Sequence, residues 1–199
     1  LQQRIQEEQA PVVVDVLHTR YPQGAQKQLC QSITGRQVPP GQLPAAIGCA
    51  VFSVDTTAAI WRAVYQGMPV IRRIVTVSGS GVMEPKNLEC RIGTPLRDLL
   101  DFCGGVSETT FKLLMGGPMM GNAQYSAGVP VGKCTNAILA FAKDEERTVE
   151  HPTCIRCGKC ASVCPMRLQP LFLYLYQRKG MLEELEAGNV LDCIECGAC

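Results

Sequence analysis

The sequence predicts a multidomain chain that is α/β at its start, α+β in its middle and a small helical metal-binding module at its end. Three observations predict this. Two β-branched runs at residues 11–17 and 49–54 alternate with helix-like segments in the first 71 residues. Near Arg72 the pattern changes to strand, turn, strand, helix, strand. Seven of the twelve cysteines then crowd into the last 46 of the 199 residues.

The elements follow in order. Residues 1–10 are polar and helical in flavour, and residues 11–17 (PVVVDVL) predict a buried strand. Tyr21-Pro22-Gln23-Gly24 is turn chemistry, and residues 25–34 predict a helix stopped by Gly35. Residues 36–48 are loop, rich in proline and glycine, and residues 49–54 predict a second apolar strand. Asp55 or Thr56 is the expected cap of a helix that runs to Tyr65 and closes at Gly67. Strands and helices in this order predict the end of an α/β layer with a parallel sheet.

Residues 74–77 alternate as a strand, residues 78–81 turn, and residues 87–92 form a second strand. Thr94 is the expected cap of a helix with Pro95 at its first position, running to Cys103 and ending at Gly104-Gly105. Its Leu96, Leu99 and Leu100 are expected to face the sheet. Residues 112–115 predict a third strand, broken by Gly116-Gly117-Pro118. That order is the order of a small β-grasp module. Residues 119–150 are mixed, Met119 and Met120 read as packing and turn residues, and the charged residues 143–150 read as a linker.

The chemistry is concentrated after His151. Cys154-x2-Cys157-x2-Cys160-x3-Cys164-Pro165 has the spacing of a bacterial [4Fe–4S] run, and Cys193-x2-Cys196-x2-Cys199 repeats it. Three thiolates two residues apart wrap a tight loop around one face of a cuboidal cluster, while the extra residue and the proline throw the fourth clear. In two-cluster ferredoxins that fourth cysteine ligates the other cluster. Cys164 is therefore expected to join Cys193, Cys196 and Cys199, and the set Cys154, Cys157 and Cys160 is expected to need a ligand beyond residue 199. Zinc is the rival, but four ligands would leave three of these thiols unused. The segment between the runs predicts two short helices, at residues 170–178 and 182–187, hence a helical ferredoxin module. Arg156, Lys159 and Arg167 stand near the first run, where their charge can offset that of a cluster. Cys30, Cys49, Cys90, Cys103 and Cys134 are scattered singly and read as small buried hydrophobes.

Other functions are excluded by composition. Nineteen basic and eighteen acidic residues give a net charge of +1, which predicts no nucleic-acid surface. The longest apolar runs fall far short of the ~20 residues that a membrane span needs. No Walker motif, nucleophile elbow or complete dinucleotide fingerprint is present. The first residue is Leu1 and the last, Cys199, falls within a motif, so the expectation is an internal fragment of a longer protein.

YPQG at 21–24, KQL at 27–29, TGR at 34–36, VPPG at 38–41, LPA at 43–45, RIGTP at 91–95, GGPMMG at 116–121 and both cysteine runs resemble, in order, the C subunit of the Rnf-type electron transport complex. The resemblance implies three parts. Residues 1–71 would be the C-terminal part of a Rossmann-like domain binding FMN and NADH, similar to the flavoprotein subunit of respiratory complex I. Residues 72–150 would be a soluble-ligand-binding β-grasp domain plus linker, and residues 151–199 a ferredoxin domain with two [4Fe–4S] clusters. It further implies an NADH:ferredoxin oxidoreductase coupled to Na+ or H+ movement. Such a chain works with membrane and soluble partner subunits, peripherally at the cytoplasmic face of the bacterial inner membrane. The family's glycine-rich flavin loop would lie upstream of Leu1. On the flavin side, Gly24 and Gln26 match one family turn and Ser53 and Thr56 another, with Gln26 in place of an acid and Ser53 in place of an amide. A cobalamin-reductase relative with the same domain order and a non-catalytic iron–sulfur adaptor are the alternatives.

Overall fold

The computed structural model describes residues 2–143 and 153–199. In chain order the helices are α1 (Gln2–Glu7), α2 (Gln26–Thr34), α3 (Val54–Gln66), α4 (Leu96–Phe102), α5 (Lys159–Val163), α6 (Pro170–Lys179) and α7 (Leu182–Ala187). The strands are β1 (Arg72–Ser78), β2 (Lys86–Arg91), β3 (Thr110–Met115), β4 (Asn122–Gln124) and β5 (Ala137–Ala142). The chain divides into two compact units. One comprises Leu1–Val51, Gly158–Ile194 and Ala198–Cys199; the other comprises Phe52–Cys157 and Glu195–Gly197.

The second unit carries a five-stranded mixed sheet in the order β2-β1-β5-β3-β4. β1 pairs antiparallel with β2, placing Val75 opposite Leu88, and parallel with β5, placing Val77 opposite Ile138. β3 pairs antiparallel with both β5 and β4. Alternation along β1 sends Val75 and Val77 inward, and both are fully buried. Leu96, Leu99 and Leu100 of α4 meet them, spaced so that one helix face covers the sheet. Ile138 and Ala140 of β5, with Val131 and Cys103, complete this core. Gly79 is held at φ 115°, and a Cβ there would come within 2.1 Å of the Ala140 carbonyl oxygen. Only glycine lets the β1 end pass so close to β5.

The other unit is built differently. Its helices α5, α6 and α7, with a 3₁₀ turn at Val190–Asp192, follow the chain from the first cysteine run to the second. α6 has Pro170 at its first turn, Arg178 and Lys179 in its last, and a left-handed Gly180 at its end, as its sequence predicts. Gly188 lies against Leu173, where a Cβ would meet the leucine side chain at 2.7 Å. α2 ends at the left-handed Gly35.

Several expectations are corrected. Residues 11–17 are not a strand, and Val13 and Val16 are each 85% exposed. Residues 49–53 are not a strand either, and Phe52 is exposed. A β-branched run becomes a strand only when another strand satisfies its backbone. Among the described residues of 2–71 there is none, so the expected parallel sheet is not formed there. Among the described residues the one parallel pair is instead β1 with β5. β4 and β5 arise within residues 119–142, which patterning left unassigned. Ser53, not Asp55 or Thr56, caps α3, its hydroxyl accepting the Thr56 N–H at 3.2 Å. Pro95 occupies the cap of α4, displacing Thr94 outside the helix. Met119 and Met120 lie in a turn, as expected, but are exposed rather than packed. Residues 144–150 of the expected linker and His151 lie outside the described residues.

Candidate metal centre

The two cysteine runs share a backbone signature. Arg156 and Gly158 have positive φ, 56° and 75°, at the second and fourth positions after Cys154. Glu195 and Gly197 have positive φ, 54° and 71°, at the same positions after Cys193. A left-handed non-glycine residue costs of order 1–3 kcal/mol and persists only where its surroundings require it. Its appearance twice at one offset marks a loop shaped for a purpose. Left-handed residues in a turn bring successive N–H groups to one side, a concavity suited to anions and to the sulfurs of a cluster. Accordingly, the Arg156 N–H donates to Cys154 Sγ at 3.4 Å. After the first run Arg167 is also left-handed, at φ 55°, and the Leu168 N–H donates to Cys164 Sγ at 3.4 Å. Hydrogen bonds of this kind tune the potential of a thiolate-held cluster.

Secondary structure positions the remaining thiols. Cys160 lies on α5, and Cys164 is the residue at which that helix ends, turned out by extended backbone before Pro165. Cys193 ends the 3₁₀ turn Val190–Asp192 in the same extended conformation. Cys154, Cys157, Cys193 and Cys199 are exposed, whereas Cys160, Cys164 and Cys196 are half-buried, and none of the seven is held in a disulfide. Among the described residues, no three of His, Cys, Asp and Glu converge as a metal-holding group. The structure thus shapes each loop. Seven soft thiols, two matched loops and backbone donors fit a thiolate-bound iron–sulfur cluster and no hard cation. Arg156, Lys159 and Arg167 are exposed around these loops.

Gly24 and Gln26 belong to the first unit, and Ser53 and Thr56 to the second. Gly24 closes the turn in which the Ala25 N–H reaches the Pro22 carbonyl at 2.8 Å, and Gln26 opens α2. The Ser53 and Thr56 hydroxyls lie 2.9 Å apart at the start of α3, where both serve the helix cap. Of the five scattered cysteines, Cys30, Cys90 and Cys103 are buried, Cys49 is half-buried and Cys134 is exposed. Cysteine spacing alone does not disclose the left-handed Arg156, Arg167 and Glu195. The glycines that recur four residues after the first cysteine of each run were the available signal.

Known families divide the chain in the same order. Residues 1–62 match the Nuo51 FMN-binding domain, residues 74–123 the SLBB domain and residues 148–199 the 4Fe–4S dicluster domain. Flavin-binding, SLBB and dicluster segments in this order define a modular iron–sulfur flavoprotein. The chain is 45% identical to the C subunit of the Na(+)-translocating ferredoxin:NAD(+) oxidoreductase complex of Acetobacterium woodii, over 88% of this chain and 40% of that protein. It is 46% identical to the C subunit of the proton-translocating ferredoxin:NAD(+) oxidoreductase complex of Clostridium ljungdahlii, over 88% of this chain and 39% of that protein. To the C subunit of the ion-translocating oxidoreductase complex of Pseudomonas aeruginosa it is 45% identical, over 92% of this chain and 24% of that protein. The chain belongs to this family of C subunits and spans at most about two fifths of the length of these relatives.

Proposed function

We propose that this chain is the electron-transfer part of an Rnf-type NADH:ferredoxin oxidoreductase, carrying electrons between NADH with FMN and the partner subunits. The observation that carries the reading is the doubled Cys-x2-Cys-x2-Cys run with left-handed residues at matching positions. A [4Fe–4S] cluster, when bound, supplies one-electron transfer at a potential set by its thiolates and their N–H donors. In this reading Cys164, Cys193, Cys196 and Cys199 hold one cluster, and Cys154, Cys157 and Cys160 supply three thiolates to the other. Gly24, Gln26, Ser53 and Thr56 lie toward FMN. The divisions are residues 1–71 for the flavin part, 72–150 for a β-grasp domain with linker and 151–199 for the ferredoxin module. The order β1, β2, α4, β3, closed by β5 beside β1, supports the β-grasp assignment.

The partners in this reading are membrane and soluble subunits of one complex, ferredoxin among its substrates, with Na+ or H+ translocated. The place of work is the cytoplasmic face of the bacterial inner membrane. No helix among the described residues is long and apolar enough to cross a membrane, which suits a peripheral seat. The test is electron paramagnetic resonance of the anaerobically reconstituted protein. Cys164→Ala and Cys196→Ala are expected to remove the same reduced-cluster signal. Loss from Cys164→Ala of the signal that Cys154→Ala removes would overturn the crossed assignment. A reconstituted chain holding zinc and no iron would overturn the function.

A further inference from the structure

The two cysteine loops match in backbone shape and differ in what lies over them. Gly158 of the first run and Gly197 of the second are both left-handed. A Cβ on Gly158 would meet nothing within 4 Å. A Cβ on Gly197, the residue after Cys196, would come within 3.0 Å of the Met119 methyl carbon. Both residues belong to the unit that carries the sheet, which takes in Glu195–Gly197. Met119 stands in the connection between β3 and β4, Gly116-Gly117-Pro118-Met119-Met120-Gly121. That connection is a hairpin loop closed at its neck. Met115 pairs with Asn122, the Gly116 N–H donates to the Ala137 carbonyl at 2.9 Å, and the Gly121 N–H donates to the Gly117 carbonyl at 2.7 Å. A Cβ on Gly121 would lie 2.5 Å from that same Gly117 oxygen, so the closure requires glycine. Pro118 fixes its own φ in the turn that presents Met119. Met119 is 51% exposed, with its methyl end on Gly197.

We infer that Met119 is the cover of the second cysteine loop: a positioning residue that keeps water from the cluster of Cys193, Cys196 and Cys199 and so holds its potential down. The inference rests on the electron-transfer reading above. A thiolate-held cluster is anionic, and reduction adds a further negative charge. Water stabilises the more charged form, and an apolar neighbour in its place does not. The apolar shell around a metal site therefore sets its potential through solvent access and local dielectric. Methionine suits the task, because its unbranched, polarisable thioether fills an irregular gap against bare backbone. Gly197 leaves that gap by having no side chain of its own. The open space at Gly158 means that the cover distinguishes the second run from the first. The hairpin loop of the sheet domain thereby acquires a purpose that its sequence, GGPMMG, does not disclose.

The test is a redox titration of the whole chain, anaerobically reconstituted with iron and sulfide and followed by electron paramagnetic resonance. The signal to follow is the one that Cys196→Ala removes. Met119→Ala is expected to raise its midpoint, by up to a tenfold change in the ratio of reduced to oxidised cluster at a fixed potential, or about 59 mV. Met119→Leu, an apolar side chain of similar volume, is expected to return most of the shift. Met120→Ala, at the exposed neighbour, is expected to leave the midpoint where it was. Iron release to bathophenanthroline is expected to quicken in Met119→Ala and not in Met119→Leu. An unchanged or lowered midpoint in Met119→Ala would overturn the proposal. So would an equal shift in Met120→Ala, or a shift or loss of signal that Met119→Leu does not reverse. A parent chain that takes up zinc and no iron would overturn the electron-transfer reading and the cover with it. A parent with its normal cluster signal and an unmoved Met119→Ala midpoint would overturn the cover alone.

Discussion

The region from β1 to β5 and the first fifty residues contain similar β-branched runs and end in opposite states. Val75 and Val77 of β1 are fully buried, because β2 and β5 take up their backbone and α4 covers their face. Val12, Val13 and Val16 carry the same chemistry and are exposed. The lesson is that an apolar alternation states a preference for burial, and only a neighbouring strand or helix converts it into structure. The sheet region is held by an apolar core. The region of the cysteine loops buries few large side chains, Leu168 and Leu173 among them, and its ordered feature is a pair of shaped turns.

Core truncation breaks this comparison most strongly. Leu99→Ala is expected to cost about 2–5 kcal/mol, by lost burial and the cavity left beneath α4. Urea unfolding followed by near-ultraviolet signals checks it, and a loss below about 0.5 kcal/mol would place Leu99 outside the core.

The ion pair between Arg73 of β1 and Asp55 of α3 comes next, at 2.5 Å with the arginine side chain only 13% exposed. Its Nε already lacks a partner among the described residues. Asp55→Asn removes the charge that compensates it and is expected to cost about 1–3 kcal/mol, the usual penalty for a buried group left unsatisfied. The same unfolding experiment measures whether α3 is part of the sheet's cooperative unit. An unchanged midpoint would mean that it is not.

Val13→Ser sharpens the contrast from the other side. The residue is 85% exposed, so the expected change in this chain stays within about 0.5 kcal/mol. A larger loss, against Val77→Ser as the destabilised control, would show that the run is packed after all.

The smallest expected effect is a pH dependence at the exposed pair Glu84 and Lys86, which meet at 2.7 Å. The hydrogen bond from Lys86, then its charge, hold the Glu84 carboxyl below its ordinary 4.5. That contribution is present above pH 4.5 and is lost as pH falls through the lowered value. The hydrogen bond to Glu84 raises Lys86 above its ordinary 10.5, so its contribution is present below pH 10.5 and is lost as pH rises through the raised value. In Glu84→Gln the difference in melting temperature from the parent should shrink toward both extremes. A difference that stays constant from about pH 3 to about pH 11 would mean that the pair contributes nothing.

Some of this was determined by local sequence. Gly35, Gly67 and Gly180 end their helices in left-handed conformation because the chain there needs a residue without a Cβ. Leu96, Leu99 and Leu100 face one way because helical periodicity puts them there. The cysteine spacings carry the metal chemistry by themselves, since a cluster fixes how far apart its ligands fall along the chain. Tertiary structure decided the rest. β5 is the strand that joins the two halves of the sheet, yet its sequence AILAFA has no alternation and could be helix or strand. β1 and β3 take up its backbone, and its Ile138 and Ala140 are buried because their face joins the core with Leu96, Leu99 and Leu100 of α4. Residues 11–17 failed in the opposite sense, with a strong strand pattern and no strand to pair with. Caps, turns and ligand spacing depend on a few adjacent residues, whereas strand pairing and side-chain encounters depend on what distant parts of the chain bring alongside.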